Sequence, residues 1–264
     1  MKQIENVIVA RQIIKNHFIK RGIVASFVPK ASLEEPGNGC HSNISLWKTL
    51  PDGSQVNVSG DEEGEYKMSA HFRSFLAGIL THYAALAQFM APHHNSGRRF
   101  MEMSMSGKNI FWGFDNKEAA IRVLTPTKKT LSGKPGVVTR AELKTFDHTS
   151  NMFYAFAAII ACGMDGIRRS LQITKPFDFP PIPPFIHIPG MMDGVNMRPL
   201  PISLEDRERY LLGKDESEPE CGKPIRDLFG VPNVEDFIGA FKIDHATYAG
   251  MSLEEEVKHI VERY

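Results

Sequence analysis

The sequence predicts an α+β fold in which an antiparallel sheet is flanked by long helices. Three observations carry that reading: apolar residues recur at helical spacing in long stretches, short alternating strand candidates lie between them, and no regular βαβ repetition is present. Apolar residues make up 42% of the 264, enough to bury a full core. No continuous apolar run is long enough to span a bilayer, so the chain reads as soluble and globular.

Taken in order, Ile4, Val7, Ile8, Arg11, Ile14 and Phe18 predict an amphipathic helix over residues 3–20, closed by Lys20-Arg21-Gly22. A strand is expected over 23–28. Gly37-Asn38-Gly39 reads as a turn running into a strand at 40–46, and Pro51-Asp52-Gly53-Ser54 as the turn out of it. Phe72, Phe75, Leu76, Ile79, Tyr83, Leu86 and Met90 mark one face of a long helix that Pro92 ends. Strand candidates follow at 109–114, 119–124 and 138–146. Residues 151–171 predict a third helix, whose Ala155, Ala157, Ala158, Ala161 and Gly163 allow close packing. Prolines crowd residues 176–202 too densely for regular structure, and shorter helices finish the chain, the last over 253–264. The expected organisation is a domain part over 1–175, the proline-rich excursion over 176–202, and a C-terminal helical part of the same domain over 203–264. No internal repeat is found.

Thirty-one basic residues balance 31 acidic ones, which argues against a broad nucleic-acid or membrane surface and for a small molecule or another subunit as partner. The three cysteines, Cys40, Cys162 and Cys221, are odd in number and far apart, and no basic stretch leads into an apolar one at the N-terminus. A disulfide framework and secretion are therefore not expected, and a cytoplasmic setting is.

Gly37-Asn38-Gly39 resembles part of a dinucleotide fingerprint, but no third glycine opens a helix onto a pyrophosphate, so that reading fails. Strand alternation instead places His41, Asn43 and Ser45 on one face. The same alternation puts Arg140, Glu142 and Lys144 on one face of a second strand. Each strand alone also fits an antiparallel sheet wetted on one side. Together they offer an imidazole and a carboxylate that can hold a divalent metal, among cations that answer a phosphate or carboxylate; that combination suits metal-assisted phosphoryl transfer. Arg122 lies inside the apolar run Ala119–Leu124, where a buried charge needs a partner such as an anionic ligand. Adjacent His93 and His94 cannot easily face one ion and read as surface or supporting residues. His71 and His82 read as satisfied core or interface histidines, and Cys162 as a small buried hydrophobe.

Ordered blocks along the chain carry a pattern beyond these local readings: Ala25-Ser26-Phe27-Val28-Pro29-Lys30; Gly37-Asn38-Gly39-Cys40-His41 with Ser45-Leu46-Trp47; Ala91-Pro92 with Asn95-Ser96 and Arg99; Asp115-Asn116-Lys117 with Arg122; Glu142; and Asn151 followed by Gly163-Met164-Asp165-Gly166-Ile167. In these blocks the chain resembles the C-terminal part of the glutamine synthetase catalytic domain; residues after 176 match loosely. That resemblance implies an ATP-dependent ligase that condenses glutamate with ammonia or an amine through a γ-glutamyl phosphate, with ATP and Mg2+ or Mn2+ as cofactors. Residue by residue, it places His41 and Glu142 on ligands of one metal and Asn43, Ser45 and Arg140 on nucleotide contacts. It places Gly37, Gly39, Arg99 and Lys144 at the glutamate, and Lys117 and Arg122 at the transferring phosphoryl group, where they would act catalytically.

Departures from the family pattern are equally specific. Met105 stands where the ammonia-using members carry a flap glutamate, preceded by Ser104, and a thioether is no base. Asn43 replaces a histidine, and Lys117 and Lys144 replace arginines, exchanging bidentate forks for point charges. The family's N-terminal β-grasp domain and the first half of its catalytic domain have no counterpart in this sequence, so the resemblance implies a C-terminal portion, inactive as an isolated chain. Its partners would be a homo-oligomer or a polypeptide supplying the N-terminal half. Two alternatives stay open: a non-catalytic relative kept for binding or assembly, and a helix-rich scaffold without a ligand.

Overall fold

The computed structural model describes residues 2–101, 105–124, 136–178, 193–261 and 263–264. The fold is α+β. Its first helix, α1 (Lys2–Ile19), keeps only part of the expected face: Ile4 is buried and Val7 and Arg11 are half-buried, joined by Lys15 on the same side. Ile8, Ile14 and Phe18 of that face are exposed instead. The reason is a polar anchor, because Arg11 Nη1 donates to the His148 carbonyl at 2.8 Å and its guanidinium lies over the Phe27 ring. Residues 23–28 are not a strand. Ile23 and Val24 are exposed, and the segment's one backbone bond to a distant part of the described chain runs from Phe27 N to Tyr264 O.

Three short strands come next, β1 (Ser42–Ile44), β2 (Trp47–Thr49) and β3 (Gln55–Asn57), the last two paired as a hairpin through the expected turn. There Gly53 adopts φ 82°, a conformation open to glycine, and Asp52 accepts bonds from Ser54.

The expected long helix is two helices, α2 (Ala70–Thr81) and α3 (Tyr83–Met90), broken at His82, whose φ is −101° and ψ 10°. No glycine or proline stands at the break. Thr81 Oγ1 bonds back to the Ala77 carbonyl at 2.9 Å, a contact that bends helices, and His82 Nε2 reaches Asp165 at 3.0 Å. His82 is fully buried, whereas His71, expected to be its counterpart, is exposed.

After α4 (His94–Gly97) come β4 (Asn109–Phe114), β5 (Ala119–Val123), β6 (Ala141–Leu143) and α5 (Met152–Arg168). A two-residue strand, β7 (Arg198–Pro199), precedes α6 (Leu204–Leu211), α7 (Lys223–Phe229), α8 (Val231–Tyr248) and α9 (Leu253–Ile260). Most of the proline-rich excursion, residues 179–192, lies outside the described residues.

The main sheet has the order β1-β6-β5-β4-β7, and its pairings are antiparallel except β4 with β5. Alternation sorts its faces: Ile121, Val123, Ala141 and Leu143 point into the core, and Arg122 and Glu142, between them, do not. That core joins the sheet to Phe72, Phe75, Tyr83 and Leu86 of α2 and α3 and to Ala158 and Ile159 of α5. Leu211, Ile225, Val234 and Ile238 from α6, α7 and α8 enter the same cluster. Tyr83 pins α3 to the sheet, its hydroxyl donating to the Ala120 carbonyl at 3.1 Å.

Candidate active site

Register builds the site. Asn43 pairs with Glu142 across β1 and β6, and Glu142 pairs with Arg122 across β6 and β5, so the three form one row on the face turned away from the core. Glu142 is the hub. Its Oε1 lies 3.1 Å from His41 Nδ1, and its Oε2 accepts from Arg122 Nη1 at 3.2 Å. Lys144 Nζ stands 3.5 Å from the same His41 nitrogen. These neighbours hold the Glu142 carboxyl down to about 2, chiefly through the hydrogen bond with His41, with Lys144 and Arg122 assisting. Burial pushes the Lys144 ammonium below its ordinary value.

Arg122 does find the partner its apolar setting demanded, but in protein carboxylates: Glu142 on one side and Asp115 on the other, the latter at 3.2 Å from Nη2. Arg140 Nε donates to Asn43 Oδ1 at 3.2 Å, which ties two expected nucleotide contacts together. Ser45 sits just beyond β1 and accepts from Trp47 Nε1 at 2.9 Å.

The glycines of the 37–39 turn lie beneath this row. A Cβ on Gly37 would overlap the Arg99 side chain, and one on Gly39 would stand 2.8 Å from His41 Nε2 and 3.0 Å from Arg99 Nη1. Neither glycine has a positive φ, so close approach rather than backbone freedom accounts for them. Arg99 is 3% exposed, donates through Nη2 to the Thr145 and Phe146 carbonyls, and faces the buried Asp147.

Lys117 is exposed on the return from β4 to β5, and among the described residues it makes no hydrogen bond or ion pair with the Glu142 row. Met105 is half exposed with φ 54°, and its amide donates to Glu118 at 2.9 Å. Ser104 lies outside the described residues. Asp147 was missed from sequence; its signal was an acidic residue directly after the apolar Phe146 in the same run as Glu142 and Lys144.

His41 and Glu142 are donors of the types that bind divalent cations, side by side and partly open. Among the described residues no group of three such donors gathers. The pair therefore fits part of a metal site, and a cation held there needs further ligands from beyond these residues.

Comparison with known proteins gives the family of the chain. The family model for the glutamine synthetase catalytic domain matches residues 1–206. The chain belongs to the glutamine synthetase family. It is 35% identical to type-1 glutamine synthetase 1 of Dictyostelium discoideum, over 67% of this chain and 34% of that protein. It is 33% identical to glutamine synthetase of Sulfolobus acidocaldarius over 84% of this chain and 44% of that one. The match to the Thermococcus kodakarensis glutamine synthetase runs along all of this chain at 28% identity and covers 51% of that relative. The chain thus spans about half, or less, of the length of these curated relatives. In fold it is similar to a crystal structure of a novel glutamine synthase homolog (TM-score 0.70, 24% identity, 99% of this chain and 54% of that one). It is likewise similar to ligand-free GmaS (TM-score 0.71, 24% identity, 97% and 52%).

Proposed function

We propose that this chain carries part of an ATP-dependent ligase site that joins glutamate to an amine, or to ammonia, as a γ-glutamyl amide. The observation that carries the reading is the row Asn43–Glu142–Arg122 with His41 and Lys144 gathered on it, set over the glycine turn that holds Arg99.

In the proposed reaction a γ-carboxylate oxygen of glutamate attacks the γ-phosphorus of ATP, the bond to ADP breaks, and γ-glutamyl phosphate forms. The amine nitrogen then attacks the acyl carbon; phosphate leaves with the C–O electron pair, and the amine gives up a proton. Arg122 and Lys117 oppose the charge on the transferring phosphoryl group. Arg99, Lys144, Gly37 and Gly39 shape the glutamate position, and Asn43, Ser45 and Arg140 meet the nucleotide. His41 and Glu142 would hold Mg2+ or Mn2+, which would supply neutralisation of phosphate oxygens. Met105 supplies no base at the acceptor position, which favours an amine over ammonia. The remaining ligands come from a homo-oligomeric neighbour or a polypeptide carrying the other half, in a cytoplasmic setting.

The test is Mn2+ binding followed by Trp47 fluorescence, since Trp47 contacts Ser45. His41→Ala and Glu142→Gln should each weaken it at least about tenfold; wild-type affinity in both variants would sink the reading. A second reading, a relative that binds nucleotide or glutamate without turnover, is favoured by the two-donor metal pair and by Met105. Mass spectrometry for γ-glutamyl amides made by the native protein from its source separates the two, and its intact mass tells whether further chain precedes Met1.

A further inference from the structure

We propose that the cavity between α4, α6 and α8 binds a small molecule carrying a carboxylate or phosphate group on a short apolar body. The cavity has a volume of about 420 Å3, the size of a metabolite site, and shares no lining residue with the Glu142 row. Its polar wall is Arg98, Arg207, His94 and His245 together with Ser203 and one carboxylate, Asp244, and its apolar wall includes Ile202 and Phe241.

Arg207 is the decisive residue. It is 6% exposed, yet Nη1 to the Pro92 carbonyl, at 2.8 Å, is the one side-chain hydrogen bond recorded for it among the described residues. Its Nε has no acceptor there, and no carboxylate lies within ion-pair distance among the described residues. Other buried or half-buried arginines are answered differently: Arg98 by Glu256 at 2.6 Å, and Arg122 by two carboxylates. Burial pushes the Arg207 guanidinium down to about 10, so it stays charged at neutral pH. A charge held out of water with so few acceptors is stabilised by an anion that brings its own oxygens.

The acid in the cavity wall is already engaged. Asp244 faces His93 Nε2 at 3.1 Å through one oxygen and accepts the His94 amide at 2.7 Å through the other. His94 and His245 meet at 3.1 Å between their Nδ1 atoms, so one of them presents an N–H to the other. Two arginines on the same wall make a cation a poor occupant, and no group of three metal-binding side chains forms among the described residues. An oxyanion meets Arg207, while an apolar body of a few carbons rests on Ile202 and Phe241.

The test is NMR of the His94 and His245 ring protons in the full chain, titrated separately with inorganic phosphate and with butyrate. The expected result is a saturable shift of both rings below roughly 10 mM of at least one probe, weakened at least tenfold, or about 1.4 kcal/mol, in Arg207→Gln. Phosphate alone would identify a phosphate ligand, butyrate alone a carboxylate. Because Arg207→Gln removes a buried group and can unfold the chain, Phe241→Trp provides a second variant that fills the cavity with Arg207 intact; it should abolish the shift. Rings that do not respond to either probe, or respond equally in both folded variants, overturn the proposal.

Discussion

Two close contacts in this molecule are built from opposite materials. Where α2 crosses α5, Gly78 and Gly166 let backbones touch: a Cβ on Gly166 would run into the Ser74 carbonyl, and one on Gly78 into the Cys162 carbonyl. Phe75, Ala158, Ile159 and Cys162 are buried in the same core. Where β1, β6 and β5 lie side by side, Asn43, Glu142 and Arg122 stand in register with His41 and Lys144 beside them, and every contact is polar. The helix crossing depends on missing side chains, the strand row on charges that answer one another. Damage to the first should therefore unfold the chain, and damage to the second should disable its chemistry first.

Gly166→Val gives the largest expected effect. The added atoms have nowhere to go, and the loss should be about 3 kcal/mol, at the upper end for overpacking, read as a fall in the urea midpoint. A loss under about 1 kcal/mol would mean that the helices can part, and the contrast would fail.

Glu142→Ala strikes the other contact. It leaves Arg122 and His41 without their shared carboxylate, and should cost about 2 kcal/mol, as for hydrogen bonds to charged groups. Mn2+ affinity should fall more than tenfold in the same variant, whereas the folded fraction of Gly166→Val should keep it. Equal effects on both readouts in both variants would erase the distinction.

Acid should sharpen the comparison. The Glu142 carboxyl is held down to about 2 from an ordinary 4.5, so between those values the unfolded chain binds the extra proton. Its contribution to stability is complete above the unfolded value and fades as pH falls toward 2. Unfolding free energy measured from pH 6 to pH 3.5 should drop more steeply in wild type than in Glu142→Gln; parallel slopes would contradict the hub role. The smallest effect belongs to a site outside both contacts. Ser252 caps α9 in a reciprocal box with Glu255, and Ser252→Ala should cost about 1 kcal/mol with Mn2+ binding unchanged in titration.

Much of this was readable locally. Period-two alternation put Glu142 and Lys144 on one face and His41 and Asn43 on another, and period-3.6 spacing located α2, α3 and α5. Those patterns concern one element at a time, and side-chain direction within an element follows from backbone geometry alone. The same logic misled in part at α1, where Ile8, Ile14 and Phe18 of the expected face are exposed while Arg11, on that face, reaches the His148 carbonyl. It also misled at 23–28, where β-branched residues found no partner strand, and at His82, where a contact to Asp165 on another helix accompanies the break.

By itself, then, the sequence determined the fold class, the family and the residue types able to bind metal and phosphate, because composition, period and motif are properties of adjacent residues. Tertiary structure alone decided that Asn43, Glu142 and Arg122 form one row, that Arg122 is paired with Glu142 and Asp115, that Arg99 fits where Gly37 and Gly39 make room, and that Arg207 is buried with no carboxylate within ion-pair distance among the described residues. Strand register and buried charge pairing join residues distant in the chain, and they are set by how the core packs rather than by any local preference.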